Sequence, residues 1–292
     1  MPFGLQGTVV LFLSHETSDE TCSAYRHLRT TSGPDISVCW LLDVASGVTP
    51  PAEFQSETQT YDSRRFADFG FATFGPKMLP GHCHFPVLDF YLHNPRITKL
   101  WVVEYDVRFT GPWSKFFDLM TSSDADLLTC HVRTPDQEPG WFWWGTLRDP
   151  SGSLPQEIHT LRAFLVIARF SAKALDTLIA SHRAGWRGHQ EAIIPTLVSQ
   201  AGLHIDDIND VAQRAEGRAV YTSVDDPLGT LEELGTLRFR PARIRAGIRR
   251  GMLYHPVKPK ASIKQVPLLP RLVRRFLILL RAWGLRKYTG PY

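Results

Sequence analysis

The strongest constraint on this chain is an alternation, in which short apolar runs take turns with segments of helical spacing. "TVVLFLS" at 8–14 and "ISVCWLLDV" at 36–44 read as strands, with "DETCSAYRHL" at 19–28 between them as a helix. "FPVLDFYLHNP" at 85–95 predicts a short helix stopped by Asn94 and Pro95. A strand over 99–104 follows, then a helix in "GPWSKFFDLM" (111–120) with Pro112 in its first turn. "ADLLTCHV" (125–132) and "AFLVIARF" (163–170) are further strands, and Ser171 is a fitting N-cap for "AKALDTLIASH". "EAIIPTLVSQAGL" (191–203) reads as a helix closed by Gly202. Residues 45–84 are rich in Pro, Gly, Ser and aromatics and show no clear period. Strands alternating with helices predict an α/β fold with a parallel core. In such sheets ligands bind beyond the C-terminal strand ends, near a switch point in strand order.

At 292 residues the chain can bury one large core or two small ones, and 43% hydrophobic with 21% charged residues describes an ordinary globular protein. The cysteines Cys22, Cys39, Cys83 and Cys130 are scattered without a CxxC pair, which predicts free thiols in a reducing compartment. The start, "MPFGLQGTVVLFLSHE", lacks the basic region and apolar length of a signal peptide, and no run approaches the ~20 apolar residues that span a bilayer. These features predict a cytoplasmic protein. Charge is unevenly placed. From residue 234 onward there are 15 Lys and Arg and no Asp or Glu, so the rest carries 33 − 15 = 18 basic residues against all 29 acids. An acidic body with a basic tail predicts two jobs, one done by the body and one in which the tail meets an anionic surface.

Within "KLWVVEYDVRFTGPW" (99–113) the strand ends in Glu104, Tyr105 and Asp106. Residues i and i+2 share a side of a strand, so the two carboxylates face one way and repel unless a cation or proton lies between them. Either they hold a metal or they mark a solvated strand end. Neither GxGxxG nor GxxxxGK[ST] occurs, which argues against the Rossmann fingerprint and the P-loop. His82 and His84 flank Cys83 at a spacing that suits a metal clip, with no second pair to complete it. Asp43, at the end of its strand, is a candidate for contact with a nucleotide base or ribose, or a plain strand-end acid.

Taken in order, four pieces resemble nucleotide-sugar-dependent glycosyltransferases of the GT-A fold: "VVEYDVRFTG", "AFLVIARFS", "GWRGHQEAIIPTL" and "YHPVK". The resemblance spans residues 8–258, and is closest to a set carrying an "EYDVRFTG"-type variant of the DxD motif. It implies a GT-A-like, Rossmann-like catalytic domain over 1–235 and a basic segment over 236–265 that completes the site. It implies a Mg²⁺ or Mn²⁺ ion held by Asp106 and His255, with Glu104 on a ribose, a metal-bound water or the donor sugar, and Lys258 on the diphosphate. Such cations take oxygen ligands and neutralise a departing diphosphate. It also implies Glu191 as the base of an inverting transfer from a UDP- or GDP-sugar to a glycan or lipid-linked acceptor in surface polysaccharide synthesis. Pro195 is tolerated in a first helical turn but not deeper, which starts that helix no earlier than about Gln190. Glu191 then sits in the first turn, where the helix dipole favours its ionised form. The neighbouring alternatives are a capping acid at Glu191, a sugar-phosphate nucleotidyltransferase without the usual Gly-rich loop after its first strand, and a noncatalytic binder of membrane or nucleic acid.

"GWFWWG" (140–145) sets Trp141, Phe142, Trp143 and Trp144 between glycines, a candidate acceptor loop or simply aromatic packing; His189 and Gln190 are candidates for the same pocket. "LLPRLVRRFLILLRAWGLRKY" (268–288) places Leu269, Leu272, Val273, Phe276, Leu280 and Trp283 at helical spacing, with arginines largely to other sides. An amphipathic helix over 266–292 lying on the anionic inner face of a membrane fits this pattern better than docking on the body or nucleic-acid binding.

Overall fold

A computed structural model describes residues 4–155, 160–223 and 235–263. The expected helix over 266–292 lies outside the described residues. Seven strands form one sheet: β1 (Gly7–Ser14), β2 (Ser37–Asp43), β3 (Thr58–Tyr61), β4 (Ile97–Glu104), β6 (Leu127–Arg133), β7 (Arg162–Ser171) and β8 (Ile205–Asp207), in the order β3-β2-β1-β4-β7-β6-β8. β1 pairs in parallel with β2 and β4, β2 with β3, and β6 with β8, whereas β7 runs antiparallel to both neighbours. The α/β fold with a parallel core expected from the alternation is formed, as a mixed, mainly parallel sheet whose one reversed strand is β7. Two short strands, β5 (Arg108–Phe109) and β9 (Leu253–Tyr254), make a separate antiparallel ladder.

Among the described residues six helices cover the faces: α1 (Asp19–Thr31), α2 (Phe85–His93), α3 (Trp113–Met120), α4 (Ala172–Ala184), α5 (Gln190–Gln200) and α6 (Ile208–Glu216). Alternation along β1 sorts the core. Val9, Leu11 and Leu13 join residues of α2, α4 and α5 on one face, while Val10 and Phe12 join α1, α3 and α6 on the other. Both faces are buried, which is why the central strands read as continuous apolar runs rather than alternating ones. Each fully buried Leu or Val contributes about 1.5–3 kcal/mol over its exposed state, before the entropy of ordering is subtracted. Ser171 is the N-cap of α4, its hydroxyl accepting from the Ala174 N–H.

Three local expectations change. Pro112 is the N-cap of α3 rather than a first-turn residue. Residues 45–84 are not featureless: they hold β3 and two short 3₁₀ segments, Ala52–Glu57 and Ser63–Phe69, too brief to show a period. Pro195 lies in the second turn of α5, inside the helix, and its missing N–H leaves the Glu191 carbonyl without a helical donor.

Candidate functional site

β1, β2, β4 and β6 end at the same rim of the sheet. Because β7 runs the other way, its first residues reach that rim too. The rim carries Glu104 at the end of β4, Asp106 in the turn beyond it, Arg162 and Phe164 at the start of β7, and Glu191 in the first turn of α5. Tyr105 turns the opposite way from its acidic neighbours and packs into the core, its ring 4.9 Å from that of His15.

The late histidine arrives through the small ladder. β5 pairs with β9 in the register Arg108 to Tyr254 and Phe109 to Leu253, and the Val257 N–H donates to the Asp106 carbonyl at 2.7 Å. His255 follows β9 directly, so it comes to rest against the carboxylates. Its Nε2 is 3.3 Å from Asp106 Oδ1 and 3.9 Å from Glu104 Oε2. Lys258 Nζ lies 3.4 Å from Asp106 Oδ2.

Glu104, Asp106 and His255 offer three ligand atoms within 4.8 Å of one another, the one such group among the described residues. Two observations bear on whether they could hold a divalent cation. Asp106 Oδ1 is buried without a hydrogen bond of good geometry, and the positive charge that meets it is that of His255, whose Nε2 is 3.3 Å away. The second concerns the ring, where His255 Nδ1 lies 2.7 Å from the Arg238 carbonyl, which can only accept, so Nδ1 carries a hydrogen. In the neutral ring the lone pair is then on Nε2, the atom aimed at the carboxylates, as in histidine ligands held by a carbonyl behind them. Two carboxylates and one imidazole make an oxygen-rich set with one nitrogen, matched to Mn²⁺ or Mg²⁺ more than to thiophilic metals.

Charge is tightly balanced here. Burial pushes Glu104 up to about 7, helped by the Asp106 carboxylate. Burial would also raise Asp106, but His255 and Lys258 outweigh it and hold its carboxyl below the ordinary range. Burial disfavours charged His255, yet Asp106 and Glu104 reverse the balance and raise its pKa.

Glu191 sits in the first turn of α5 as expected, but burial works against its ionised form. Burial pushes its carboxyl up to about 7, against the pull of Arg162 and His255. Desolvation outweighs the helix dipole. The N-cap of α5 is His189, whose Nδ1 accepts the Glu191 N–H at 3.3 Å. Its ring is stacked on Trp143 at 4.4 Å and 12°. Of the aromatic loop, Trp141 is buried, with the Arg162 guanidinium 4.6 Å above its ring. Trp144 donates from Nε1 to the Glu138 carbonyl at 2.9 Å, and Phe142 is 69% exposed. Asp43, though buried, uses Oδ1 to accept from the N–H groups of Ala45 and Ser63, both at 3.0 Å, and so fixes the turn after β2.

The paired histidines do not form a metal clip. His82 lies between the Lys77 carbonyl and the Phe74 N–H, while His84 Nε2 faces His182 Nε2 at 2.8 Å. His182 Nδ1 must donate to the Trp186 carbonyl, so His182 Nε2 accepts and the His84 Nε2–H donates. Beneath Glu104 a cavity of ≈ 30 Å³ is lined by Cys83, His84 and Gln190 along with apolar side chains of the sheet and helices, room for one water-sized group.

Sequence reasoning missed Arg162. It is buried, pairs through Nη1 with Glu138 Oε2 at 2.5 Å, and leaves Nε and Nη2 without hydrogen-bond partners. An arginine opening an otherwise apolar strand was the available signal. His131, also buried at the rim, has φ of +53°, rare for a non-glycine residue, and burial with nearby Arg133 and Arg162 pulls its pKa down to about 3.

No family model and no curated protein matches the chain. Among solved structures the chain is similar to the bifunctional glycosyltransferase WbbM in its apo form, with TM-score 0.40 and 8% identity over 70% of this chain and 39% of that one. This chain thus spans well under half the length of that protein. It is also similar to a putative glucose-1-phosphate thymidylyltransferase from Bacillus anthracis bound to sucrose, with TM-score 0.35 and 9% identity over 69% and 86% of the two chains. A third similarity is to a mannose-1-phosphate geranyltransferase from Thermus thermophilus, with TM-score 0.30 and 9% identity over 74% and 72%. Overlaps this loose assign no reaction.

Proposed function

We propose that this chain is a metal-dependent glycosyltransferase that takes a sugar from a UDP- or GDP-sugar. The observation that carries the reading is the cluster of Glu104, Asp106 and His255 at the end of β4, with three ligand atoms close together and an oriented imidazole. Mn²⁺ or Mg²⁺, held by Asp106 and His255 beside Glu104, would neutralise charge on the departing diphosphate. Lys258, already within reach of Asp106, supplies a further positive point charge for phosphate oxygens. Asp43 stands at the end of β2 for the ribose or base.

Glu191 is the candidate base. With a pKa raised to about 7 it can take a proton near neutral pH and is more basic than an ordinary carboxylate. In the proposed step the acceptor hydroxyl oxygen bonds to the anomeric carbon and its proton passes to Glu191. The bond from that carbon to the diphosphate oxygen breaks, and the nucleoside diphosphate leaves. Attack from the face opposite the leaving group inverts the configuration. Phe142 and Trp143, with His189 behind, are the acceptor platform, while Trp141 and Trp144 shape it from beneath. A lipid-linked acceptor at the inner face of the membrane, in surface polysaccharide assembly, fits a basic tail.

The second reading, a sugar-phosphate nucleotidyltransferase, also uses metal carboxylates at a strand end, but β1 leads into Ser14–Ser18, "SHETS", with no glycine to cradle a triphosphate. Calorimetry with UDP, GDP and their sugars, with and without Mn²⁺, tests the proposal. Nucleotide binding that needs Mn²⁺ supports it; a chain that binds none of them overturns it.

A further inference from the structure

The segment 239–250 connects the body to β9, and its side chains are sorted unusually. Its inner side is small or engaged. Ala246 packs with Met252, Tyr254 and Val257, a Cβ on Gly247 would meet the Tyr254 hydroxyl at 2.4 Å, and the Arg243 guanidinium lies 5.3 Å over the Tyr254 ring. The large apolar residues face outward instead. Ile248 is 100% exposed, Ile244 54% and Phe239 47%. Arg240, Arg245, Arg249 and Arg250 are exposed in the same stretch, and no acid occurs from residue 235 to 263.

The segment is not loosely attached. The Arg243 N–H donates to the Pro256 carbonyl at 2.8 Å, the Lys258 N–H to the Arg243 carbonyl at 2.8 Å, and the Thr110 hydroxyl to the Arg249 carbonyl at 2.5 Å. Its exposed residues are therefore displayed by a fixed backbone, and the same contacts hold β9 and His255. Solvent alone would select polar residues at these positions. Apolar tips rimmed by arginines match the boundary between lipid headgroups and acyl chains, where isoleucine and phenylalanine insert and arginine meets phosphate. Nucleic acid would use the arginines but leave Ile244 and Ile248 without a partner.

We infer that segment 239–250 is a built docking surface for an anionic lipid bilayer. It uses none of residues 266–292, and it does not require the transferase reading. Docking there would bring the bilayer beside β9, which His255 directly follows.

The test is co-sedimentation of the full chain with vesicles of phosphatidylcholine, with and without phosphatidylglycerol, at low and high salt. Each arginine at an anionic surface is worth about fivefold in partitioning at low salt. Replacing Arg240, Arg245, Arg249 and Arg250 together by Gln should weaken binding to the phosphatidylglycerol vesicles by at least about tenfold. Phe239→Ser, Ile244→Ser and Ile248→Ser combined should weaken it further at high salt, where charge is screened. An Ile248→Cys variant carrying a polarity-sensitive dye should shift to the blue on those vesicles, while the parent labelled the same way at its own thiols should not. Unchanged co-sedimentation of both combined variants overturns the inference, as does a dye at residue 248 that stays in water. Retention of single-stranded RNA without vesicle binding overturns it in favour of a nucleic-acid surface. Mn²⁺-dependent nucleotide binding, measured on the same variants, should be unchanged, which separates this inference from the proposed chemistry.

Discussion

His255 Nε2 faces the buried Oδ1 of Asp106 at 3.3 Å, an ion-pair distance without the alignment of a good hydrogen bond. A proton on Nε2 or a cation between the two atoms satisfies both, and the proposed function takes the cation. Asp106→Asn keeps the shape and removes the charge. It should abolish Mn²⁺-dependent nucleotide binding in calorimetry while leaving the circular dichroism spectrum unchanged. Nucleotide affinity equal to the parent's in the presence of Mn²⁺ would show that Asp106 holds no metal.

Glu191 gives two linked predictions, one kinetic and one thermodynamic. Glu191→Gln should retain donor binding and lose transfer by about two to four orders of magnitude, the usual effect of a missing general base. The parent's transfer rate should climb as pH rises through about 7, where the carboxyl ionises. For stability the sign is opposite. Between the ordinary value of 4.5 and about 7 the native protein keeps a proton that the unfolded chain has released. Stability therefore falls as pH rises through that window. Melting curves should place Glu191→Gln above the parent at pH values beyond 7 and level with it below about 4.5. A variant that melts lower than the parent at every pH would remove burial as the cause.

Arg162 and Glu138 form a buried pair whose halves depend on each other. Arg162→Met removes the guanidinium and leaves Glu138 buried beside Trp141, at a cost of about 3–5 kcal/mol by urea denaturation. Adding Glu138→Gln should recover part of that loss. If the double variant is no more stable than Arg162→Met, the cost comes from packing on Trp141 rather than from charge.

Gly188 sets the entry to α5. A Cβ there would lie 2.9 Å from Leu147 Cδ2 and 3.2 Å from Leu147 Cα, the latter backbone that cannot swing aside. Gly188→Ala should cost about 1–3 kcal/mol as overpacking and shift His189 and Glu191 from the rim. Transfer kinetics should then show a larger fall in kcat than rise in KM. Stability and kinetics matching the parent would mean that the 146–147 turn relaxes.

Much of the fold was legible because both faces of the sheet are buried. β1, β2, β4 and β7 announce themselves as apolar runs, and Glu104 with Asp106 stands out as acid where such a run ends. β3 and β8, four and three residues long, fall below the length at which periodicity can be seen, and α6 went unread beside β8. The rest of the site depends on long-range placement. Nothing near Arg162 in the sequence tells that Glu138 will meet it, and the order of residues around Glu191 could give the dipole but not the burial that overrides it. His255 was found only by likeness of motif, since its distance to Asp106 is set by β5 pairing with a strand encoded near the far end of the chain.

That pairing orders the site in time. During synthesis the strands of the main sheet leave the ribosome before β9 does, and they can begin to pack as they emerge. Asp106 is available early, but its imidazole partner is delivered only after residue 255 has been translated and has found β5. A nascent or prematurely terminated chain can carry both carboxylates and still lack His255, so the three-membered cluster is completed as one of the last acts of folding.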